Sequence, residues 1–138
     1  LDGSIWMMTR RGLAVFDADG TPRAQVPSFT GGPLTHGSLA IATDGSVRAA
    51  VLGYGLVALN PSGVRLWALE VDQVRFAVVD AGGATLALTH EGVLLAVDPG
   101  GQERWRVSLD GIPHAAPVLG ADGTVYVGLR GGVLVALH

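Results

Sequence analysis

The side chains best suited to proton transfer or metal binding are four imidazoles, His36, His90, His114 and His138. They lie on separate segments far apart in the chain, so a shared metal would require those segments to converge. Asp17-Ala18-Asp19-Gly20 has the opening pattern of a calcium loop, but the later acidic ligands do not follow, and the same four residues read as a turn. With no Cys there is no thiolate ligand, no thiol nucleophile and no disulfide, a composition that fits oxidising and reducing compartments equally. No HExxH, GxSxG, P-loop or dinucleotide-binding context is present, because the paired glycines sit between strand-like runs and not before helices. No catalytic, cofactor-binding or metal-ligating residue is assigned.

The 138 residues, 49% hydrophobic and 15% charged, are enough to bury a core. A net charge of −3 offers no basic surface to phosphates, which makes nucleic acid and anionic membrane poor partners on electrostatic grounds, and no nucleic-acid partner is expected. No apolar run approaches the roughly 18 residues of a membrane span, and the chain, which starts at Leu1 without Met, shows no charged-then-apolar leader in its own residues. The expectation is a chain without membrane insertion, cut from something longer.

What positions these residues is an internal repeat. "ALNPSGVRLW" at 58–67 returns as "AVDPGGQERW" at 96–105, and four longer units align on Gly3, Gly45, Gly83 and Gly123, spaced by 42, 38 and 40. A period near 40 built of short strands predicts β-propeller blades and not helical repeats. The units divide residues 1–138 into 2–43, lacking a first strand; 44–81 and 82–121, both full; and 122–138, incomplete.

Turn chemistry divides each unit. Asp-Gly or Gly-Gly opens it; a three-residue link ending in Gly, such as Gly53-Tyr54-Gly55 or His90-Glu91-Gly92, joins its second and third strands. Asn60-Pro61-Ser62-Gly63 and Asp98-Pro99-Gly100-Gly101 then carry Asn or Asp first, Pro second and Gly fourth, the composition of a type I turn. The strand runs are apolar on both sides, as in Val93 to Val97, which predicts sheets stacked face to face. With the innermost strand of a blade called A, the A strands fall at Leu39 to Ala42, Phe76 to Val79 and Ala116 to Leu119. The fold class is therefore all-β: four-stranded antiparallel blades, about three and a half of them, in a partial propeller.

The offsets Ala58, Asn60, Gly63, Trp67 and Ala96, Asp98, Gly101, Trp105 resemble the tryptophan-docking motif of the PQQ-like, quinoprotein-type β-propeller repeat family. "DGTVYVG" from Asp122 is similar to that family's start of the second strand. The first unit departs from the pattern, with Val15 and Ala24 where Ala and Trp would stand, and the fourth ends before its Trp. The resemblance implies that each outer-strand indole docks on the neighbouring blade, contributing roughly 2–3 kcal/mol if fully buried.

Propellers close with about 4 to 8 blades, so open edges at both ends are expected to be covered by the remaining blades of a seven- or eight-bladed protein. Self-association through those edges is the other way to cover them.

Strand order places the B-to-C hairpins and D-to-A links on one face, where they collect Arg10, Arg11, His36, Tyr54, His90, Glu91, His114 and Arg130. His36 and His114 each precede an opening Asp by eight residues, which predicts equivalent positions near the axis. The bland reading is solvated hairpin tips and strand-end caps; the sharper one is a partner or ligand patch. The other face carries turns whose polar residues are explained by geometry.

The family includes PQQ-dependent dehydrogenases, and the resemblance would bring PQQ and calcium only under that alternative, for which this chain has neither the adjacent Cys pair nor a Glu-Asn-Asp set. Non-catalytic relatives, an outer-membrane assembly lipoprotein and bacterial sensor domains, make a protein-interaction or ligand-sensing scaffold the expected function. A bacterial source with a periplasmic or extracellular setting follows from the resemblance alone.

Overall fold

The computed structural model describes residues 2–29, 34 and 36–138. Among these residues lie fourteen strands in four antiparallel sheets, each sheet ordered as the chain runs. Blade 1 is β1 (Ile5–Thr9), β2 (Gly12–Phe16) and β3 (Pro22–Pro27). Blade 2 is β4 (Gly37–Ile41), β5 (Val47–Val51), β6 (Gly55–Leu59) and β7 (Arg65–Leu69). Blade 3 is β8 (Val74–Val79), β9 (Thr85–Thr89), β10 (Val93–Val97) and β11 (Glu103–Ser108). Blade 4 is β12 (Val118–Leu119), β13 (Val125–Leu129) and β14 (Val133–Leu137). No helix among the described residues is long and apolar enough to cross a membrane.

The turns form as their residues dictate. In the third turn of blade 2 the Gly63 N–H donates to the Asn60 carbonyl at 2.9 Å, and Asn60 Oδ1 accepts from Ser62 N at 3.0 Å and Val64 N at 2.9 Å. Blade 3 repeats the pattern: Gly101 N donates to Asp98 O at 3.0 Å, while Asp98 Oδ1 accepts from Gly100 N and Gln102 N, both at 2.9 Å. A side chain that satisfies two backbone donors holds the turn without tertiary help.

The glycine that closes the B-to-C hairpin in blades 1 to 3 has a second reason to be glycine, which Gly132 of blade 4 does not share. At Gly55, φ +125, a Cβ would lie 2.3 Å from the Leu69 carbonyl oxygen of the outer strand. The hairpins also differ from the uniform three-residue link: Thr9 pairs directly with Gly12, whereas Val51 pairs with Gly55 across one more residue.

The core lies between sheets. Leu13 of blade 1 packs with Val47, Ala49, Val51, Val57 and Leu59 of blade 2. Ala50 and Leu56 of blade 2 meet Val74, Ala77, Ala87, Leu95 and Val97 of blade 3, and Leu86, Leu88 and Leu94 of blade 3 meet Val125, Val127 and Leu129 of blade 4. Blade 2 is thus buried on both faces, and its β5 and β6 are buried at every position. This is why β6 reads as a continuous apolar run, and β5 as one broken only at Arg48, and not as alternation.

The A strand of blade 4 is shorter than the sequence suggests. Only Val118–Leu119 pairs with β13, and a separate bridge joins Pro113 to Leu129. Pro117, which has no N–H to donate, interrupts the ladder between them.

Candidate interaction face and blade anchors

The B-to-C hairpins and D-to-A links lie together at one end, joined by backbone hydrogen bonds. Leu52 N donates to His36 O at 3.0 Å, His90 N to Gln73 O at 2.8 Å, and Arg130 N to Ile112 O at 2.8 Å. These three bonds are equivalent from blade to blade, so His36 corresponds to Gln73 and Ile112. His114 does not correspond to His36: its N–H donates to Gly128 O at 2.9 Å, two residues further along. The interruption at Pro117 inserts those two residues, which counting from Asp122 could not reveal.

The structure brings together only some of the eight sequence-derived face residues. His36 and His90 line one cavity of about 260 Å³ with Leu52, Gln73 and Arg75, between the inner ends of blades 2 and 3. Tyr54 lines a second, of about 420 Å³, with Glu70 and Asp72; its ring centroid is 5.7 Å from that of Phe29, and Arg65 Nη1 donates to its hydroxyl at 3.4 Å. Glu91 lines a third, of about 180 Å³, with Glu70, Asp72 and Arg106. Arg10, Arg11, His114 and Arg130 are exposed and line none of these three cavities.

Gln73 and Arg75 were not legible as site residues. Gln73 is the one non-Gly residue with positive φ among the described residues, at 53°. Such a backbone is set by its bond to His90 across the blade and not by its own type. Arg75, at the start of an otherwise apolar strand, was the one available signal; its guanidinium carbon lies 5.2 Å from the Phe76 ring centroid.

Among the described residues no cluster of three or more His, Asp or Glu has the geometry to hold a metal ion. The cavity between His36 and His90 is lined by imidazole, guanidinium, amide and aliphatic groups without a carboxylate. Calcium takes carboxylate and carbonyl oxygens, so those side chains do not fit it.

The docking residues behave differently in each blade. Trp67 of β7 crosses to blade 3, where its Nε1 donates to Pro99 O at 2.8 Å and its ring lies on Gly101. A Cβ at Gly101, φ +90, would be 2.7 Å from Trp67 Cγ. Ala58 is wholly buried beside Trp67 in the β6–β7 ladder. On the other side of Ala58 stands Arg48, 2% exposed, its guanidinium carbon 5.3 Å from the Trp67 ring centroid. Arg48 also donates to Ser46 Oγ at 2.8 Å and to Thr85 Oγ1 of blade 3 at 3.2 Å. Burial pulls its pKa below the ordinary value for arginine, an effect that Asp44 partly offsets.

Trp105, expected to dock as Trp67 does, does not. It pairs with Ala96 as Trp67 pairs with Ala58, but it is 45% exposed. Among the described residues blade 4 has three strands and no third turn, so within them the indole meets no counterpart of Pro99 and Gly101.

Stacked antiparallel sheets of three and four strands joined in chain order, with the Trp67 indole pinning blade 2 to blade 3, define a partial β-propeller. No protein-family model and no curated protein matches the chain. Among solved structures, it is similar to a protein of unknown function from Bacteroides caccae, at 19% identity and TM-score 0.70, over 99% of this chain and 53% of that one. It is similar to BamB from Moraxella catarrhalis at 20% identity and TM-score 0.74, over 99% of this chain and 40% of that one. The WD40 β-propeller domain of Doa1 matches with TM-score 0.81 at 11% identity, over 98% of this chain and 46% of that one. The chain spans about half the length of these structures, and the likeness establishes the fold.

Proposed function

We propose that this chain is a non-catalytic, PQQ-like propeller module that acts as a protein-interaction scaffold and belongs to a larger propeller. The observation that carries the reading is the character of its two outer sheet faces. Ile5 and Met7 of blade 1 are 50% and 49% exposed, and Val118 and Leu134 of blade 4 are 63% and 68% exposed. They occupy the same kind of sheet face that the three inner joints bury, and exposed apolar area of this kind marks a surface that another blade or protein covers.

The loop face supplies the second half of the reading, since Arg10, Arg11 and Arg130 hold solvated cations at hairpin tips on a rigid support. The test is capture of binding partners by the chain and by a variant with Arg10, Arg11 and Arg130 reversed to Glu. Loss of a partner in the variant supports the loop face, and retention of every partner removes it. The same capture with Leu134→Asp reports separately on the outer face of blade 4.

A further inference from the structure

The inner strand of blade 3 departs from its counterpart in blade 2. In blade 2, β4 pairs with β5 one residue against one from Gly37 to Ile41. In blade 3, Val74 pairs with Thr89 and Phe76 with Leu88, so Arg75 stands unpaired between them as a bulge. The other register shifts all lie in ladders to an outer strand. Gln73, two residues before Arg75, has the positive φ of 53°. A bulge turns its extra side chain out of the strand's alternation, and a left-handed residue redirects the chain that enters it. Both irregular residues line the cavity of about 260 Å³ with His36, Leu52 and His90.

The charge at this place has no counterpart. Arg23, Arg48, Arg65, Arg104 and Arg106 each hydrogen-bond to or pair with another side chain. Arg10, Arg11, Arg75 and Arg130 have no such partner among the described residues. Of these four only Arg75 is half-buried, the other three being exposed. Its guanidinium carbon lies 5.2 Å from the Phe76 ring centroid, and a ring face supports a cation without supplying a full counter-charge. The side chains of His36, Gln73 and His90 also make no hydrogen bond or ion pair among the described residues. The carboxylates of this end, Glu70, Asp72 and Glu91, line the neighbouring cavity, which shares Gln73, and not this one. A partly desolvated cation beside unfilled donors costs free energy until an anion meets it.

We propose that the cavity between His36 and His90 binds a carboxylate. One fixed guanidinium matches one negative charge, in the two-pronged geometry that arginine offers a carboxylate, and imidazole and amide N–H groups supply further donors. Leu52 gives an apolar wall for a short aliphatic tail. The site uses none of Arg10, Arg11 and Arg130, so it goes beyond the loop-face reading and is tested separately from it. The experiment is titration of butyrate into the chain, followed by backbone amide chemical shifts. Saturable shifts centred on Leu52, Gln73 and His90 support the site. Arg75→Gln should weaken binding at least about tenfold, and His90→Gln about three- to tenfold, the worth of one net hydrogen bond. Arg104→Gln, on the outer strand β11, should leave it unchanged. Butyramide, the same shape without the charge, should bind the unsubstituted chain at least about tenfold more weakly, a comparison that holds even if Arg75→Gln does not fold. An acetylated alanine tripeptide and its C-terminal amide separate the sources of the carboxylate: binding of the free peptide above butyrate assigns it to a protein terminus, and the reverse to a small acid. Absent or scattered shifts, butyramide equal to butyrate, unchanged affinity in folded Arg75→Gln, or inorganic phosphate binding more tightly than butyrate would overturn the proposal.

Discussion

The Trp67 indole donates its Nε1 hydrogen to the carbonyl of Pro99, 2.8 Å away and 32 residues later, while its ring covers Gly101 of the same turn. A residue on the outer strand of one blade therefore ends on the last turn of the next. Trp105, at the same place one blade later, lacks that acceptor and is 45% exposed.

The two indoles should accordingly differ in worth. Trp67→Ala removes a ring packed against blade 3 and is expected to cost about 3 kcal/mol, near the lower bound for a buried Trp. Trp105→Ala should cost about 1 kcal/mol or less, as surface changes do. Urea unfolding midpoints at constant slope measure both, and equal losses would mean that Trp105 is anchored too.

Gly101 separates backbone strain from packing. Gly101→Ala must place a Cβ 2.7 Å from Trp67 Cγ at φ +90, whereas Gly20→Ala, at φ +86, meets nothing within 4 Å. The second change should cost only the left-handed backbone, about 1 kcal/mol, and the first about 2 kcal/mol more for overpacking. Thermal melts of the two variants give the difference directly.

Arg48 makes its hydrogen bonds to hydroxyls, and its charge is buried. Replacing such a cation by an apolar side chain of similar length is often neutral, so Arg48→Met is expected within about 1 kcal/mol of the parent. Arg48→Ala also opens space under the Trp67 ring and should cost about 2 kcal/mol or more. Comparing the two by denaturant unfolding isolates packing from charge.

Asp44 accepts from the Ser46 hydroxyl and the Ser46 N–H, which hold its carboxyl below the ordinary value of 3.8. Asp122 is lowered in the same direction by the N–H of Thr124. A folded-state pKa below the unfolded one means that the unfolded chain binds more protons in this window, so stability rises with pH there. The contribution is complete above 3.8 and is lost as pH falls through the lower folded value. Asp44→Asn should flatten the acid limb of a stability-against-pH curve, and an unchanged limb would mean that the turn does not feel the charge.

The turns were readable because their chemistry is local. Asn60 and Asp98 satisfy donors two and four residues ahead, so residue type alone decides their conformation. The same holds for the count and order of strands, since each unit repeats its own punctuation at a spacing near 40. The candidate face was legible as a set of hairpin tips, but its pairing of His36 with His90 was not, and neither was the shift of His114 away from the place of His36.

The amino-acid sequence by itself determined the repeat, the turns and the all-β sheets, because each depends on residues a few positions apart. Which indole is anchored, why Arg48 is buried, and that Val26 with Trp6 beside it lies at Gly63 where Trp67 lies at Gly101 follow only from the packing of one blade on the next. Those outcomes depend on which turn of another blade arrives opposite each side chain, a relation between segments some 40 residues apart that no single segment encodes.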